Sequence, residues 1–241
     1  MRNLNVESIN TNITNLTLSN LSSADFLSEQ FIAKLRQLTQ LRSIKVEGAF
    51  NNEGLIKLIS NIPSGCNRLV HTTPISNSEA KNHLENTLNN RSQFIVEYFS
   101  PPLSGGSSSK AIGFYGSNIT GIPEGYDMNE AIQINIHGSL SNIIDLSALT
   151  CHIWLHKPEQ MTKIKAQRIK LQSSATRGAT QQQYESLIEN MNAVSTLTLS
   201  ILGQVPTGVT ARPLNYYTNS IVRYNVISLS AGGKTWNGRR R

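Results

Sequence analysis

The sequence predicts an α+β fold with a βαβ-type N-terminal half and a strand-rich C-terminal half. Residues 1–99 alternate short runs of period-two hydrophobicity with longer runs of helical periodicity, which is the pattern of βαβ units. Residues 131–231 consist mainly of period-two runs. A stretch rich in Pro, Gly and Ser at 100–130 separates the two parts.

The first predicted strand and helix carry clear local signals. Leucines alternate with polar residues in NLTLSNL (15–21), which predicts a strand. Ser22, followed three residues later by Asp25, is typical of a helix start, and apolar residues then recur on one helical face as far as Leu38. We therefore predict a helix over residues 23–39.

The other elements of the first half follow from the same two periodicities. The predicted strands are RSIKVEG (42–48), NRLVHT (67–72) and SQFIVEYF (92–99). Predicted helices cover 51–65, where Pro63 and Gly65 mark the end, and 78–90, where Ser78 is the cap.

The second half is predicted to be mostly strand. The predicted strands are KAIGFY (110–115), AIQINIHG (131–138), LTCHIWLH (149–156), KAQRIKLQ (165–172), TLTLSIL (196–202) and SIVRYNVISLS (220–230). One helix is expected, because Thr180 and Gln183 form a capping box ahead of the apolar stripe Tyr184, Leu187, Ile188 and Met191. We expect the strands after residue 131 to form an antiparallel portion separate from the βαβ units.

A single domain over 1–241 accommodates these elements. It has an N-terminal part (1–99), a long loop excursion (100–130), a strand-rich part (131–231) and a basic tail (232–241). A chain of 241 residues buries a sizeable core without a disulfide or a structural metal. Long loops in compact domains often carry function, which makes the excursion worth noting.

Two strand–helix–strand units share one spacing, which raises an alternative fold. Twenty-eight residues separate Leu16 from Ile44, and the same number separates Ile169 from Leu197. This period and the frames Ile13-x-x-Leu16-x-Leu18 and Val194-x-x-Leu197-x-Leu199 resemble leucine-rich repeats.

The resemblance implies an α/β solenoid that binds a partner protein through a concave strand face. The exposed strand residues of that face would be Thr17, Ser19, Lys45, Glu47, Lys170, Gln172, Thr198 and Ser200. The Asn or Cys that the family places three residues after the frame is absent, since Leu21, Ala49, Ser174 and Leu202 stand there. The solenoid is therefore the alternative, and the α+β fold is the first prediction.

The charge balance indicates an anionic partner. The chain has 22 Lys and Arg against 15 Asp and Glu, a net charge of +7, while about a third of its residues are Ser, Thr, Asn or Gln. A basic excess on a surface with few charges favours nucleic acid or an anionic lipid surface as partner. Simple solubility is the alternative explanation of the excess.

Two basic segments supply the candidate contact residues. The first contains Lys157, Lys163, Lys165, Arg168 and Lys170, which we interpret as a ridge that contacts phosphates. The second is the C-terminal tail with Lys234, Trp236, Arg239, Arg240 and Arg241, in which the aromatic residue can stack on a base. A strand edge blocked by lysines and an unliganded terminus are the corresponding structural interpretations.

No pattern predicts an enzyme, a cofactor or a metal. SGGSSSK (104–110) fails the phosphate-loop spacing and precedes a predicted strand rather than a helix. The candidate metal ligands Cys151, His152, His156 and His137 do not have the spacing of a structural zinc site. No nucleophile elbow is present, so an enzyme of unidentified chemistry is only the second alternative.

We therefore expect a non-catalytic structural or binding protein of the virion coat, matrix or movement type. A protein–protein interaction module is the first alternative, and self-association or a protein partner would fit either. The start of the sequence lacks an apolar signal region, and no apolar run is long enough to span a membrane. With only two cysteines, the chain is expected in a reducing intracellular compartment, the cytoplasm or the nucleus.

Overall fold

The computed structural model describes residues 6–19, 28–48, 51–72, 74–75, 78–100, 109–157, 160, 163–166, 168–171, 197–201, 226–231 and 234–237. The chain forms two compact units, residues 1–117 and residues 118–241. Both units combine parallel strand pairs with one antiparallel pair, and the three described helices all lie in the first unit. The architecture is thus of the mixed α+β kind. That residues 1–241 form a single domain stays a prediction.

The first unit alternates strands and helices as the sequence predicts. After a short 3₁₀ turn at Val6–Ser8 come β1 (Asn15–Ser19), α1 (Glu29–Gln37), β2 (Ser43–Glu47), α2 (Asn52–Asn61), β3 (Arg68–His71), α3 (Ser78–Asn89), β4 (Phe94–Ser100) and β5 (Ser109–Tyr115). Strands β1 to β4 pair in chain order and are parallel, and β5 returns antiparallel to β4. The prediction of βαβ units in this half is confirmed.

The core of the first unit lies between one face of these strands and the three helices. Ile44, Leu69 and Val96 are register partners on three neighbouring strands and are all buried. They share one cluster with buried residues of every helix, among them Phe31 of α1 and Leu58 of α2. Because side chains alternate across a strand, the helices must cover the same face of β1 to β4 and leave the other face free of described helices.

Side-chain caps set the starts of α1 and α2. The Ser28 hydroxyl accepts a hydrogen bond from the backbone N–H of Phe31 at 3.2 Å, and the Asn51 side chain accepts one from Gly54 at 2.9 Å. Each cap satisfies a backbone donor that the helix itself leaves unpaired. The helix start predicted at Ser22 lies in residues 20–27, outside the described residues.

Arg91 holds the turn between α2 and β3. Its guanidinium donates to the backbone carbonyls of Pro63 (3.0 Å), Cys66 (2.9 Å) and Ile62 (2.6 Å). The same group lies 5.2 Å from the centre of the Phe94 ring. One side chain thus fixes the turn and connects it to the start of β4.

The second unit is strand-rich, as predicted, but its strands are mainly parallel. They are β6 (Ala131–Ile136), β7 (Ile144–Asp145), β8 (His152–Leu155), β9 (Ile164–Lys165), β10 (Arg168–Leu171), β11 (Leu197–Ile201), β12 (Val226–Ala231) and β13 (Lys234–Asn237). Strands β6, β8, β10, β11 and β12 pair in that order and are parallel, and β13 is antiparallel to β12. A separate parallel pair joins β7 and β9.

The prediction of an antiparallel C-terminal portion is therefore wrong. Partners such as Ile134 and Ile153, or Ile169 and Leu199, are 19 and 30 residues apart, which leaves room for a crossover rather than a hairpin. Among the strand pairs that the structure describes in this unit, only β12 and β13 are joined by as few as two residues, Gly232 and Gly233, and that pair is antiparallel.

Two further predictions of the C-terminal half are corrected. The strand predicted over KAQRIKLQ is split, because β9 pairs with β7 while β10 pairs with β8 and β11. Residues 234–237 form β13 instead of a free tail. The helix predicted from Thr180 lies outside the described residues.

The described residues do not show a solenoid. Leu16 does pair with Ile44, as the 28-residue spacing predicts, but Ile169 pairs with Leu199 rather than with Leu197. The spacing between register partners also ranges from 16 residues (Ile153 to Ile169) to 30. The two similar segments NLTLSNL and TLTLSIL contain β1 and β11, which belong to different units, and no even repeat connects them in the described residues.

Candidate anion-binding site

The carboxyl ends of β6 and β8 lie side by side in the second unit. The two strands are parallel and in register up to Ile136 and Leu155, so the segments that follow them leave the same edge of the sheet. Ligands of parallel sheets commonly bind at this edge. Two of the lysines singled out in the sequence, Lys157 and Lys163, are in the segment that follows β8.

Both lysines converge on the loop that follows β6. The Lys163 ammonium donates to the backbone carbonyl of Leu140 at 2.8 Å, and the Lys157 ammonium makes a long hydrogen bond of 3.4 Å to the Ser139 hydroxyl. The Gln160 side chain accepts a hydrogen bond from the backbone N–H of Leu140 at 2.8 Å. The two ammonium groups are thus held above adjacent residues.

The loop beneath the lysines is itself anchored. The backbone N–H of Ile119 donates to the Ser139 carbonyl at 2.8 Å, and the Ser141 hydroxyl donates to the Ile119 carbonyl at 3.1 Å. Leu140 is 2% exposed and forms a parallel bridge with Ile119. A fixed base reduces the conformational entropy that the lysines would lose when they bind a ligand.

The contacts described for each ammonium leave donors for a ligand. A lysine carries three donors, and the contacts above occupy one donor of Lys157 and one of Lys163. Both side chains are half-buried, so their charges are partly shielded from solvent but remain accessible. This arrangement suits a phosphate or a carboxylate group, which accepts several such bonds.

Two imidazoles meet at the same edge. His137 and His156 each follow the last paired residue of their strand, and their rings stack with centroids 3.7 Å apart at 28°. The other candidate ligands, Cys151 and His152, lie at the opposite end of β8. At about 3.3 Å per residue, His152 is about 13 Å from His156 along the strand. Only two members of the candidate metal set are therefore brought together.

The remaining predicted contact residues fall on several strands. Lys165 is in β9, where it pairs in register with Asp145, while Arg168 and Lys170 are in β10. The structure therefore does not place Lys163, Lys165, Arg168 and Lys170 on one strand. Lys234 and Trp236 are in β13, and Arg239, Arg240 and Arg241 lie outside the described residues.

The distribution of charge along the second unit changes abruptly at Lys157. Residues 118–156 contain four acidic residues and no Lys or Arg, whereas residues 157–241 contain twelve Lys and Arg against three Asp and Glu. The net charge of the chain thus arises after β8. The asymmetry can be counted in the sequence. The structure adds that the change in charge falls just after β8, which ends at Leu155.

A second group of charges lies on the face of the first unit that the described helices leave uncovered. Glu97, only 1% exposed, accepts from the Arg68 guanidinium at 2.5 Å, and the Lys110 ammonium lies 3.2 Å from its other carboxylate oxygen. The Lys110 ammonium is also 5.6 Å from the centre of the Phe99 ring. Lys110, which ends the rejected phosphate-loop sequence, is thus part of a buried ion pair.

The sequence contained a signal for this group. Glu97 interrupts the apolar run of FIVEYF, and a carboxylate in a buried strand needs a charged partner. What the sequence does not show is which cations reach it, because Arg68 and Lys110 are on different neighbouring strands.

The first unit also exposes polar strand residues at its β1 edge. Thr17, Ser19 and Lys45 are exposed, and the Lys45 ammonium pairs with the Glu47 carboxylate at 2.5 Å. All four belong to the set that the leucine-rich resemblance assigned to a partner-binding face. Both members of the ion pair are more than 40% exposed, so the pair adds little to stability.

Burial keeps the two cysteines in the thiol form. Burial raises the pKa of the Cys66 thiol and that of the Cys151 thiol. The Cys66 thiol donates weakly to the Arg68 carbonyl at 3.6 Å. The thiolate, not the thiol, acts as nucleophile and as metal ligand, so a raised pKa disfavours both roles for these cysteines.

Comparisons of the chain with protein-family models, with curated proteins and with solved structures found no match. In the part of the chain that the structure describes, no helix combines the length and the apolar character needed to cross a membrane.

Proposed function

We propose that this protein is a non-catalytic binding protein that engages single-stranded nucleic acid through the basic region beginning at Lys157. The observation that carries the proposal is the convergence of Lys157 and Lys163 on one anchored loop, at the start of a region with twelve basic and three acidic residues. A coat, matrix or movement-type role agrees with this mode of binding, because such proteins bind without regard to base sequence.

Phosphate contacts provide the binding energy in this proposal. Each lysine that neutralises a phosphate releases a condensed counterion, which makes affinity fall as salt rises. Such contacts position the chain without reading bases. Trp236 is the residue that we assign to base stacking, and the arginines 239–241 add further phosphate contacts.

The proposal is tested by measuring the fluorescence anisotropy of a labelled single-stranded RNA with the full chain across a salt series. The test variant is Lys157→Met/Lys163→Met. Its matched control is Lys34→Met/Lys81→Met, which removes the same net charge from α1 and α3 of the first unit. We expect the wild type to bind, with the slope of log K against log salt reduced by about 1.4 in the test variant.

Equal weakening in the test and control variants would contradict the site and leave only a general charge effect. Absence of RNA binding at low salt would contradict the function. Vesicles containing phosphatidylserine form a parallel arm of the experiment. Binding to these vesicles without binding to RNA would indicate that the partner of the basic region is an anionic lipid surface.

A second candidate function is a protein–protein interaction module. It is favoured by the chain-ordered parallel strands β1 to β4, whose helices cover one face and leave Thr17, Ser19 and Lys45 exposed on the other. A photo-crosslinker at Thr17 should give a discrete adduct in cells, whereas one at Lys81 on α3 should not. Equal labelling from both positions would argue against a dedicated face.

A further inference from the structure

We propose that His137 and His156 together bind one divalent transition-metal ion, with Zn²⁺ as the reference ion. The site is at the carboxyl edge of β6 and β8 and is independent of the polyanion proposal. Imidazole nitrogen is a preferred ligand of Zn²⁺, Cu²⁺ and Ni²⁺. The sequence alone did not predict it, because the two histidines are 19 residues apart and match no paired-ligand spacing.

The backbone presents the two imidazoles together. Each histidine directly follows a register pair, Ile136 and Leu155, and the backbone N–H of His156 donates to the Ile136 carbonyl at 3.0 Å. Residues in register on parallel strands project side chains to the same side at the strand spacing of about 4.8 Å. Two adjacent ligands are therefore supplied by rigid elements.

The two rings are close enough for one ion to reach both, although their stacked orientation must change for chelation. The stacked rings have centroids 3.7 Å apart, and one ligand nitrogen of His137 lies within 4.8 Å of one of His156. Zn–N bonds of about 2.0–2.1 Å in tetrahedral geometry place two nitrogens about 3.3 Å apart. Rotation of the rings about their broad terminal torsions would close this gap and turn both lone pairs toward one ion.

The ligand count predicts the strength and the openness of the site. Two imidazoles are fewer than the three or four protein ligands of catalytic and structural zinc sites, so water completes the coordination. The positive charge of Lys157, the residue next to His156, repels a metal cation and weakens its binding. We therefore expect reversible binding, weaker than that of a structural zinc site and not required for folding.

The test uses the full chain freed of metal with a chelator and titrated with Zn²⁺. Side-chain NMR of the five histidines reports which imidazoles respond. We expect resonances of two histidines to shift together to an endpoint of one ion per chain. Isothermal titration calorimetry on the same samples gives the affinity.

The variants are His137→Asn and His156→Asn, with His152→Asn as the matched control on the same strand as His156. Loss of a second-shell partner alone typically weakens metal binding 10- to 100-fold, so loss of either ligand should weaken it at least about tenfold. The His152 variant should bind like the wild type, and its missing resonance identifies one of the unresponsive histidines.

Unchanged affinity in either ligand variant would overturn the proposal, as would an absence of Zn²⁺ binding by the wild type. If a variant fails to fold, the wild-type titration still decides, because responses from His71, His83 or His152 instead of the pair would contradict the site.

Discussion

At the scale of the residue, Arg91 makes three hydrogen bonds to the turn that precedes β3. Truncation to alanine leaves the carbonyls of Ile62, Pro63 and Cys66 without this donor. We expect Arg91→Ala to lower the free energy of unfolding by about 1–3 kcal/mol, the cost of unsatisfied partly buried polar groups. Urea denaturation followed by circular dichroism measures the change.

Arg36 is the matched control for that variant. It is exposed and donates only to the Asn61 side chain in the contacts described for its guanidinium. Surface substitutions of this kind usually change stability by less than about 0.5 kcal/mol. If Arg36→Ala and Arg91→Ala were equally destabilising, the turn would not be the reason for the effect of Arg91.

Tyr115 predicts a loss of stability at high pH. Burial raises the pKa of its hydroxyl above the ordinary 10.0, with the charge of Glu85 adding to the shift. Above pH 10.0 the unfolded chain releases this proton while the folded chain retains it, so the stability due to Tyr115 falls as the pH rises. The fall approaches about 1.4 kcal/mol per pH unit.

Denaturant titrations at about pH 9 and about pH 11 test this linkage. The Tyr115→Phe variant lacks the ionisable group and should lose less stability between the two pH values than the wild type. Equal losses in the two proteins would show that other groups, such as the buried Cys66 thiol, govern the alkaline limb.

At the scale of the element, the start of α1 depends on Ser28. Its hydroxyl accepts from the Phe31 backbone N–H, which Ser28→Ala leaves unpaired. We expect Ser28→Ala to lower the free energy of unfolding by about 0.5–2 kcal/mol and Ser28→Asp to retain most of it. Thermal or urea denaturation of both variants checks the prediction, and an unaffected alanine variant would place the functional cap elsewhere.

Local sequence patterns predicted most of the described elements. The alternation around Ile44 and Val46 placed β2 within one residue of each of its ends, and the helix predicted over 51–65 contains α2. Each of these elements buries one face against a single layer, so the spacing of its apolar residues shows which residues are in the core. The cap at Ser28 was missed because Ser22 with Asp25 matched a helix-start pattern earlier in the sequence, whereas Ser28 has Phe31 three residues later.

Pairing and contacts could not be read from the same patterns. β7 has two residues, too few to show a period, and the parallel direction of β10 and β11 depends on a crossover rather than on their side chains. The convergence of Lys157 and Lys163 depends on the path of the loop at Ser139. Tertiary placement, not local propensity, creates the candidate site.

At the scale of the whole molecule, the positive charge is concentrated after β8. Hydrogen exchange with saturating single-stranded RNA should therefore slow within residues 137–170 and leave the helices α1 to α3 unchanged. The reason is that phosphates bind where cations cluster, and the last of these helices, α3, ends at Asn89, well before Lys157. Mass spectrometry of peptides from both units measures this, and slowing confined to the first unit would contradict the assignment.

The order of strand pairing in the first unit bears on how the chain is synthesised. Each of β2 to β5 pairs with the strand that precedes it in the sequence. None of these four pairs therefore depends on a strand that is synthesised much later. Pairing with the preceding strand closes a shorter loop, at a lower entropic cost, than pairing with a more distant one. A chain emerging from the ribosome N-terminus first can therefore add one strand and one helix at a time to an existing surface. The first unit is suited to growth during translation, with each βα step complete before the next is made.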